Sequence, residues 1–380
     1  MGSPSALYLH VPFCGRVCPY CAFNVTSRFD AAGLDCFIDA ATAELSALDE
    51  GRPLGLKTIY VGGGTPTELD PDRLGSLLSA VRERCDPAGI VEWTVEANPD
   101  TLDEQKASTM KAAGVTRVSL GAQSLQPRFL KRLGRTHTPE DVRASVETLL
   151  EAGFDRVNVD LIYAQPEQGL DDWRRDLDAV LELGISHLSL YELTFEPTTP
   201  FGRGHARGSI AKADDSLAVA MFSAAKERLS ESGLEWYEIS NFAVPGHESE
   251  HNRVYWRNEP YFGVGPGAFG CVGGVRTMNA CDVLEWQRLV LTTGSGVVER
   301  DLLGPRETFV ETLAAGLRTR EGVDLEALRN RTGLDVTRTH EREIAALQAR
   351  GLAEIGANRF RLTLAGVLVL DSILLDFVNG

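Results

Sequence analysis

Through the first half of the chain, short runs rich in β-formers alternate with longer stretches whose apolar residues recur every three or four positions. The first kind fits strands; the second fits helices packed by one face. Strands are expected at 6–11, 57–62, 91–96, 115–120, 156–161 and 187–192, with helices at 32–49, 71–85, 103–113, 139–152, 170–183 and 214–233. In the first helix Leu34, Phe37, Ile38, Ala41, Leu45 and Leu48 form the core face, and in the last Leu217, Met221, Ala225 and Leu229 do. Six β-α units in series predict a parallel sheet with right-handed crossovers, either a barrel or an open doubly wound sheet.

Polar residues at the strand ends favour the barrel. GGGTPT fills 62–67, the third strand ends in Glu96, Ala97, Asn98 and Pro99, and the fourth runs into Gly121, Ala122, Gln123 and Ser124. The fifth ends near Asp160 and the sixth in Tyr191 and Glu192. In α/β barrels the carboxyl ends of the strands build the site. The expected class is therefore α/β, a partial (β/α)6 TIM-like barrel. Residues 197–208, with three glycines and Pro200, read as a loop.

The character changes near residue 300. Helical patterns at 304–319, 324–331 and 338–350, a hairpin at 352–355 and 359–362 turning at Gly356, Ala357 and Asn358, and a helix at 363–378 form a small winged-helix-like unit. The chain thus divides into 1–298 and 299–380. Glu321, Asp324, Glu326, Asp335, Glu341 and Glu343 interrupt its basic residues, so a lid or packing role is expected rather than DNA binding.

Composition narrows the function classes. Apolar residues at 43% and charged residues at 24% describe an ordinary globular protein. A net charge of −16 argues against a nucleic-acid surface, which needs a basic patch. No basic n-region opens the chain, and the apolar stretch 367–378 is too short for a span and carries Asp371 and Asp376. A cytoplasmic protein without an integral membrane segment is expected. Seven cysteines, an odd number with four scattered, do not suggest a disulfide framework.

The other three cysteines carry the chemistry. Cys14, Cys18 and Cys21 stand in a C-x3-C-x2-C run within LYLHVPFCGRVCPYCAFNV, residues 7–25. Three thiolates on so short a loop can converge on a metal centre and leave one coordination position open. A cubane iron-sulfur cluster and a zinc site with a distant fourth ligand both satisfy that spacing, and three unrelated buried thiols are the plainer alternative. Tyr20 is placed to shield the centre. The glycine run is not a dinucleotide fingerprint; it offers close backbone approach to a ligand.

The cysteine run with its preceding aromatic resembles the signature of the radical S-adenosylmethionine (SAM) enzymes. Tyr8, His10, Pro12 and Phe13 ahead of it resemble the subgroup that contains oxygen-independent coproporphyrinogen III oxidase and the HemW heme chaperones. The resemblance implies a [4Fe-4S] cluster on the three cysteines, with SAM on its open iron and an electron from the cluster splitting SAM. It assigns Tyr8, Tyr20, Gly63, Gly64, Thr65, Glu96, Gln123, Arg135 and Asp160 to SAM binding, and implies an electron donor such as flavodoxin or ferredoxin. By residue type alone, Arg135 reads as a solvated surface charge.

YEISNFA at 237–243, HN-x2-YW at 251–256 and GVGPG at 263–267 resemble the HemW branch. On a helix His251 and Tyr255 share one face, and a neutral imidazole can ligate heme iron; a packed, hydrogen-bonded histidine is the plainer alternative. Phe23 stands where coproporphyrinogen oxidases of this type carry a further cysteine. Phe269, Gly270 and Cys271 replace a usual histidine position, Glu250 replaces an arginine, and Ala164 and Gln165 depart from the family pattern. The resemblance implies a heme-binding chaperone with heme and an acceptor protein as partners. Radical decarboxylation of coproporphyrinogen III and radical SAM methylation are the alternatives, and a C-terminal module covering the barrel opening goes with the family.

Overall fold

The computed structural model describes residues 3–48 and 52–379; residue 49, expected to end the first helix, lies outside them. Six strands, β1 (Ala6–Val11), β2 (Thr58–Gly63), β3 (Glu92–Ala97), β4 (Arg117–Gln123), β5 (Arg156–Tyr163) and β6 (His187–Glu192), pair in that order and all in parallel. Between them run α1 (Ala31–Leu48), α2 (Pro71–Glu83), α3 (Glu104–Ala113), α4 (Pro127–Arg132), α5 (Pro139–Glu151) and α6 (Leu170–Leu181). Short side-chain caps start these helices: Asp70 accepts from the Arg73 amide, Asp103 from Lys106, and Thr138 forms a capping box with Asp141.

Each strand sends alternate side chains to opposite faces. In β3, Trp93, Val95 and Ala97 pack under the helices, while Glu92, Thr94 and Glu96 turn to the interior. β5 does the same with Asn158 and Asp160, and β6 with His187 and Ser189. The result is the expected partial barrel, with an outer apolar layer and a polar lumen.

Four corrections concern what surrounds the barrel. Residues 197–208 are not a plain loop, because α7 (Pro200–Ala206) forms there. Pro200 occupies its first turn, Thr199 caps it, and Gly202 lies so close to Glu196 O that a Cβ would sit 1.9 Å from it. Second, the large sheet has twelve strands among the described residues. After α8 (Asp215–Glu231), β7 (Glu235–Glu238) and β8 (Asn241–Ala243) extend it antiparallel beyond β6; β9 (Tyr261–Val264) joins β1 in parallel. β10 (Phe269–Val272), β11 (Val275–Asn279) and β12 (Val297–Leu302) follow, with α9 (Glu250–Trp256) before them and α10 (Val283–Thr293) inserted. Third, the boundary drawn at 298 falls inside β12.

Fourth, the C-terminal unit does not cover the cysteine end. It contains α11 (Pro305–Gly316), α12 (Leu325–Thr332) and a sheet of β13 (Val323–Asp324), β15 (Arg359–Leu362) and β14 (Ala353–Gly356) in that order. The expected helices at 338–350 and 363–378 are each broken in two, at His340 and at Leu368 and Val369. The unit docks on α9 and β7: the Arg320 amide donates to Tyr237 O at 2.9 Å and Arg331 to Asn258 O at 2.7 Å. That is the end of the barrel where the strands begin.

α9 plugs this amino end. The Glu92 carboxylate, fully buried, accepts from Ser249 Oγ and from the amides of Glu250 and His251 at 3.0–3.1 Å, and from Arg117 Nε at 3.1 Å. Arg117 in turn donates to His247 O and Glu248 O. Burial alone would raise the Glu92 pKa, but the Arg117 charge and these donors outweigh it and hold the group ionised below its usual value. No helix among the described residues is long and apolar enough to cross a membrane.

Candidate cluster and cofactor site

The cysteine loop leaves β1 at Pro12 and is tied at both ends. The Thr26 amide donates to Pro12 O at 2.8 Å and the Cys14 amide to Thr26 O at 3.0 Å, closing residues 12–26 into a loop. Within it the Cys21 amide donates to Cys18 O at 3.1 Å, so Cys18 and Cys21 share one tight turn. The Phe201 amide holds Pro19 O at 3.0 Å, and Tyr20 packs edge-on to the Phe201 ring beside Leu133, Ile162 and Leu193. α7, missed in the sequence, therefore buttresses the loop.

All three thiols are free, half-buried and open to one cleft of about 570 Å³. The thiol of Cys14 meets Thr65 Oγ1 at 3.5 Å, and Arg135 Nη1 donates to Cys18 Sγ at 3.7 Å. Burial pushes the Cys14 thiol up to about 11, with Cys21 and Cys18 adding to the rise, and it raises Cys21 as well, with Cys18 adding there. A bound cationic centre would reverse that by taking the thiolates. Among the described residues no three His, Cys, Asp or Glu side chains converge closely enough for a single ion. The donor set instead fits a cluster in which each thiolate takes its own iron, with Thr65 and Arg135 orienting two of the sulfurs.

The strand ends form the rest of the cleft. Gly63 has φ +109°, and a Cβ there would lie 2.3 Å from the His10 ring; one on Gly64 would lie 2.6 Å from Phe13 O. Both positions need glycine because the end of β2 is pressed against the outgoing cysteine loop. The Gly64 amide donates to Val11 O at 2.8 Å and that of Thr65 to Phe13 O at 2.8 Å. Glu96 accepts from the Gly63 amide at 2.9 Å and from Tyr60 Oη at 2.7 Å. Burial lifts its carboxyl to about 7, with Asp160 adding to the rise against those two donors. Asp160 is also raised by burial, and accepts from Ser119 Oγ and Asn158 Nδ2. Gln123 lines the cleft from a left-handed backbone, φ 67°.

Most residues that the resemblance assigned to SAM thus meet in one cleft: Tyr20, Gly63, Gly64, Thr65, Glu96, Gln123, Arg135 and Asp160 all line it with the three cysteines. Arg135 is not a solvated surface charge. Tyr8 lies off the cleft wall, in the lumen, where its hydroxyl meets His10 Nδ1 at 2.9 Å and its ring neighbours Tyr60. Asn98 is the member that sequence reasoning left unassigned. It donates to Thr65 Oγ1 at 3.0 Å and accepts from Arg135 Nη2 at 2.7 Å, joining the partners of Cys14 and Cys18. Its signal was position alone, in the polar group ending β3.

His251 is elsewhere. It is fully buried at the amino end, Nδ1 against Thr58 Oγ1 and Nε2 against Tyr255 Oη, each at 2.9 Å, with its ring beside Tyr60. From Thr58 to Gly63 β2 runs about 16 Å at about 3.3 Å per residue, which separates His251 from the cysteine cleft. Burial lowers its pKa to about 4. With both nitrogens occupied, the geometry matches the packed, hydrogen-bonded histidine and offers no free nitrogen to an iron.

Comparison with known proteins gives the family and the fold. Residues 8–180 match the radical SAM superfamily and 303–369 the HemN C-terminal domain. The structure of coproporphyrinogen III oxidase (HemN) from Escherichia coli superposes with a TM-score of 0.84 over 99% of this chain and 90% of that one, at 22% identity, a likeness of fold. The heme chaperone HemW of Lactococcus lactis is 33% identical over 99% of both chains, and that of Mycobacterium tuberculosis 37% identical over 98% of this chain and 94% of its own. Identity at that level across both the barrel and the C-terminal unit decides between the two porphyrin-linked branches: the chain belongs to the HemW family of the radical SAM superfamily.

Proposed function

We propose that this protein is a cytoplasmic heme-binding chaperone that carries a [4Fe-4S] cluster, binds SAM and hands heme to an acceptor protein. The observation that carries the reading is the identity with HemW chaperones over nearly the whole of both chains, against a likeness to the oxidase in fold alone. Phe23 supports the same branch: a phenyl ring, 72% exposed at the cleft lip, occupies the place where the resembling oxidases have a cysteine.

Cys14, Cys18 and Cys21 would hold the cluster, whose chemistry when reduced by a flavodoxin or ferredoxin is one-electron cleavage of SAM. Around it the chain's own groups do the positioning. Thr65 and Arg135 steady two sulfurs. Glu96, at the mouth of the glycine turn, offers a carboxylate to the amino group of SAM, and the bare backbone of Gly63 and Gly64 allows that approach. Gln123 and Asp160 line the opposite wall, and Tyr20 shields the loop from water. His251, with both ring nitrogens hydrogen-bonded, is not assigned to heme in this reading.

The reading is tested by product analysis with coproporphyrinogen III, SAM and a reductant under anaerobic conditions, on protein loaded with about four iron per chain. A chaperone leaves the substrate unchanged. Conversion to a decarboxylated porphyrinogen would move the protein to the oxidase branch.

A further inference from the structure

Three stretches of the chain carry no Asp or Glu at all: residues 1–29, 105–139 and 197–213. On a chain with 54 acidic residues in 380 and a net charge of −16, such gaps mark places where negative charge is kept out. They are far apart in sequence but meet at Pro19, between Cys18 and Cys21. The Phe201 amide of α7 donates to Pro19 O at 3.0 Å, and Gly134, at the end of α4, packs so closely that a Cβ there would lie 2.8 Å from the Pro19 ring.

Cations on these stretches face solvent. Arg16 on the cysteine loop, Arg28 just after it, Lys131 on α4 and Arg207 at the end of α7 are exposed, and among the described residues none of the four has an ion pair or a side-chain hydrogen bond. Phe23 is the most exposed aromatic ring among the described residues and Val17 is 42% exposed; both line the cysteine cleft with Arg16. Acids stand nearby as well: Glu68 lies against Gly15, and Glu192 and Glu196 line the cleft from the end of β6, Glu192 at 3.7 Å from Lys212. Unpaired cations around a small apolar centre, on a chain otherwise acidic, complement an acidic protein surface. An interface of that kind gives fast, salt-sensitive encounter rather than tight binding. Position selects the class of partner, because the loop that would be covered is the one that carries the three cysteines.

We infer that this face, built on the cysteine loop, α4 and α7, docks an acidic protein that carries single electrons, with Arg16, Lys131 and Arg207 meeting its carboxylates and Phe23 and Val17 the apolar edge of its redox group. The inference rests on the cluster and SAM reading above and adds the place where the electron enters. One electron passes from the reduced carrier, which is oxidised, to the centre held by Cys14, Cys18 and Cys21, and no bond forms or breaks in that step.

The test is a calorimetric titration of the full chain, reconstituted anaerobically, with a flavodoxin of net negative charge, repeated as salt is raised. Wild type is compared with a reversed variant, Arg16→Glu, Lys131→Glu and Arg207→Glu together, and with a charge-keeping one, Arg16→Lys, Lys131→Arg and Arg207→Lys. The expected result is a Kd raised about tenfold or more in the reversed variant and within about twofold of wild type in the other, with wild-type binding weakening as salt rises. SAM cleavage driven by dithionite, which needs no docking, should be equal in all three chains, whereas cleavage driven by flavodoxin falls in the reversed variant. Unchanged flavodoxin affinity in the reversed variant, or wild-type affinity indifferent to salt, overturns the docking face. The salt series uses wild type alone, so it decides even if the reversed variant fails to fold. Equal binding of parvalbumin, an acidic protein without a redox group, overturns the electron-carrier assignment. Absence of dithionite-driven cleavage in wild type would count against the cluster and SAM reading instead, and the titration still decides the docking face.

Discussion

The Asn98 side chain takes the Arg135 guanidinium at 2.7 Å on its oxygen and gives its N–H to Thr65 at 3.0 Å, so that one amide ties the partner of Cys18 to the partner of Cys14. Arg135 also donates to Gly121 O at 2.8 Å, which fixes it to the end of β4. The orientation of two sulfurs therefore depends on residues from three strand ends.

Removing that link should loosen the cluster without unfolding the barrel. Asn98→Ala and Arg135→Lys are each expected to lower the retention of reconstituted iron by about ten- to a hundredfold, the usual cost of losing a group that orients a metal ligand. Iron content after a chelator challenge, with circular dichroism as the control, checks this. Unchanged retention in both variants would make the chain Cys14, Thr65, Asn98, Arg135, Cys18 a packing feature.

Gly63→Ala places a Cβ 2.3 Å from the His10 ring on a backbone at φ +109°. The expected cost is about 2–4 kcal/mol, from strain and overpacking together. Because His10 abuts the root of the cysteine loop, SAM binding should fall along with stability. Equilibrium dialysis with SAM and a urea melt measure the two.

Much of the barrel was legible in the sequence, and the reason is visible in β3. Glu92, Thr94 and Glu96 alternate with Trp93, Val95 and Ala97, so the strand stands out even though its polar face is turned inward rather than to solvent. The cysteine run and the glycine turn were equally plain, because each is a local pattern. What could not be read was long-range. β7 to β11 are three to five residues long and take their pairing from distant strands, and α7 is helical only because Thr199 and Glu196 close around its glycines. His251 shows the limit best: the spacing puts it on one helix face with Tyr255, but nothing local says that the helix caps Glu92 at the far end of the barrel.

That location predicts how His251→Ala behaves. The variant strands Thr58 Oγ1 and Tyr255 Oη in a buried site and leaves a void, at an expected cost of about 2–4 kcal/mol. Hemin stoichiometry should be unchanged. Loss of heme absorption with an unaltered urea midpoint would instead identify His251 as a ligand.

Two buried acids give a signed pH dependence. Burial raises Glu96 to about 7 and fully buried Glu238 to about 8, above an ordinary value of 4.5. Both keep their protons in the folded chain after the unfolded chain has lost them, so folding stability is highest below about pH 5 for these groups and falls as pH rises towards 8. The slope is up to about 1.4 kcal/mol per pH unit for each group. Glu238→Gln should flatten the upper part of this fall in urea melts taken across the range. A slope identical to wild type would show that Glu238 ionises normally.

The most direct test of the chaperone account is hemin titration of the anaerobically reconstituted chain, read by visible absorption and followed by mixing with an apo-hemoprotein. The account predicts saturation near about one heme per chain and transfer of that heme on mixing. Absorbance that rises without saturating, or heme that stays bound through mixing, would contradict it.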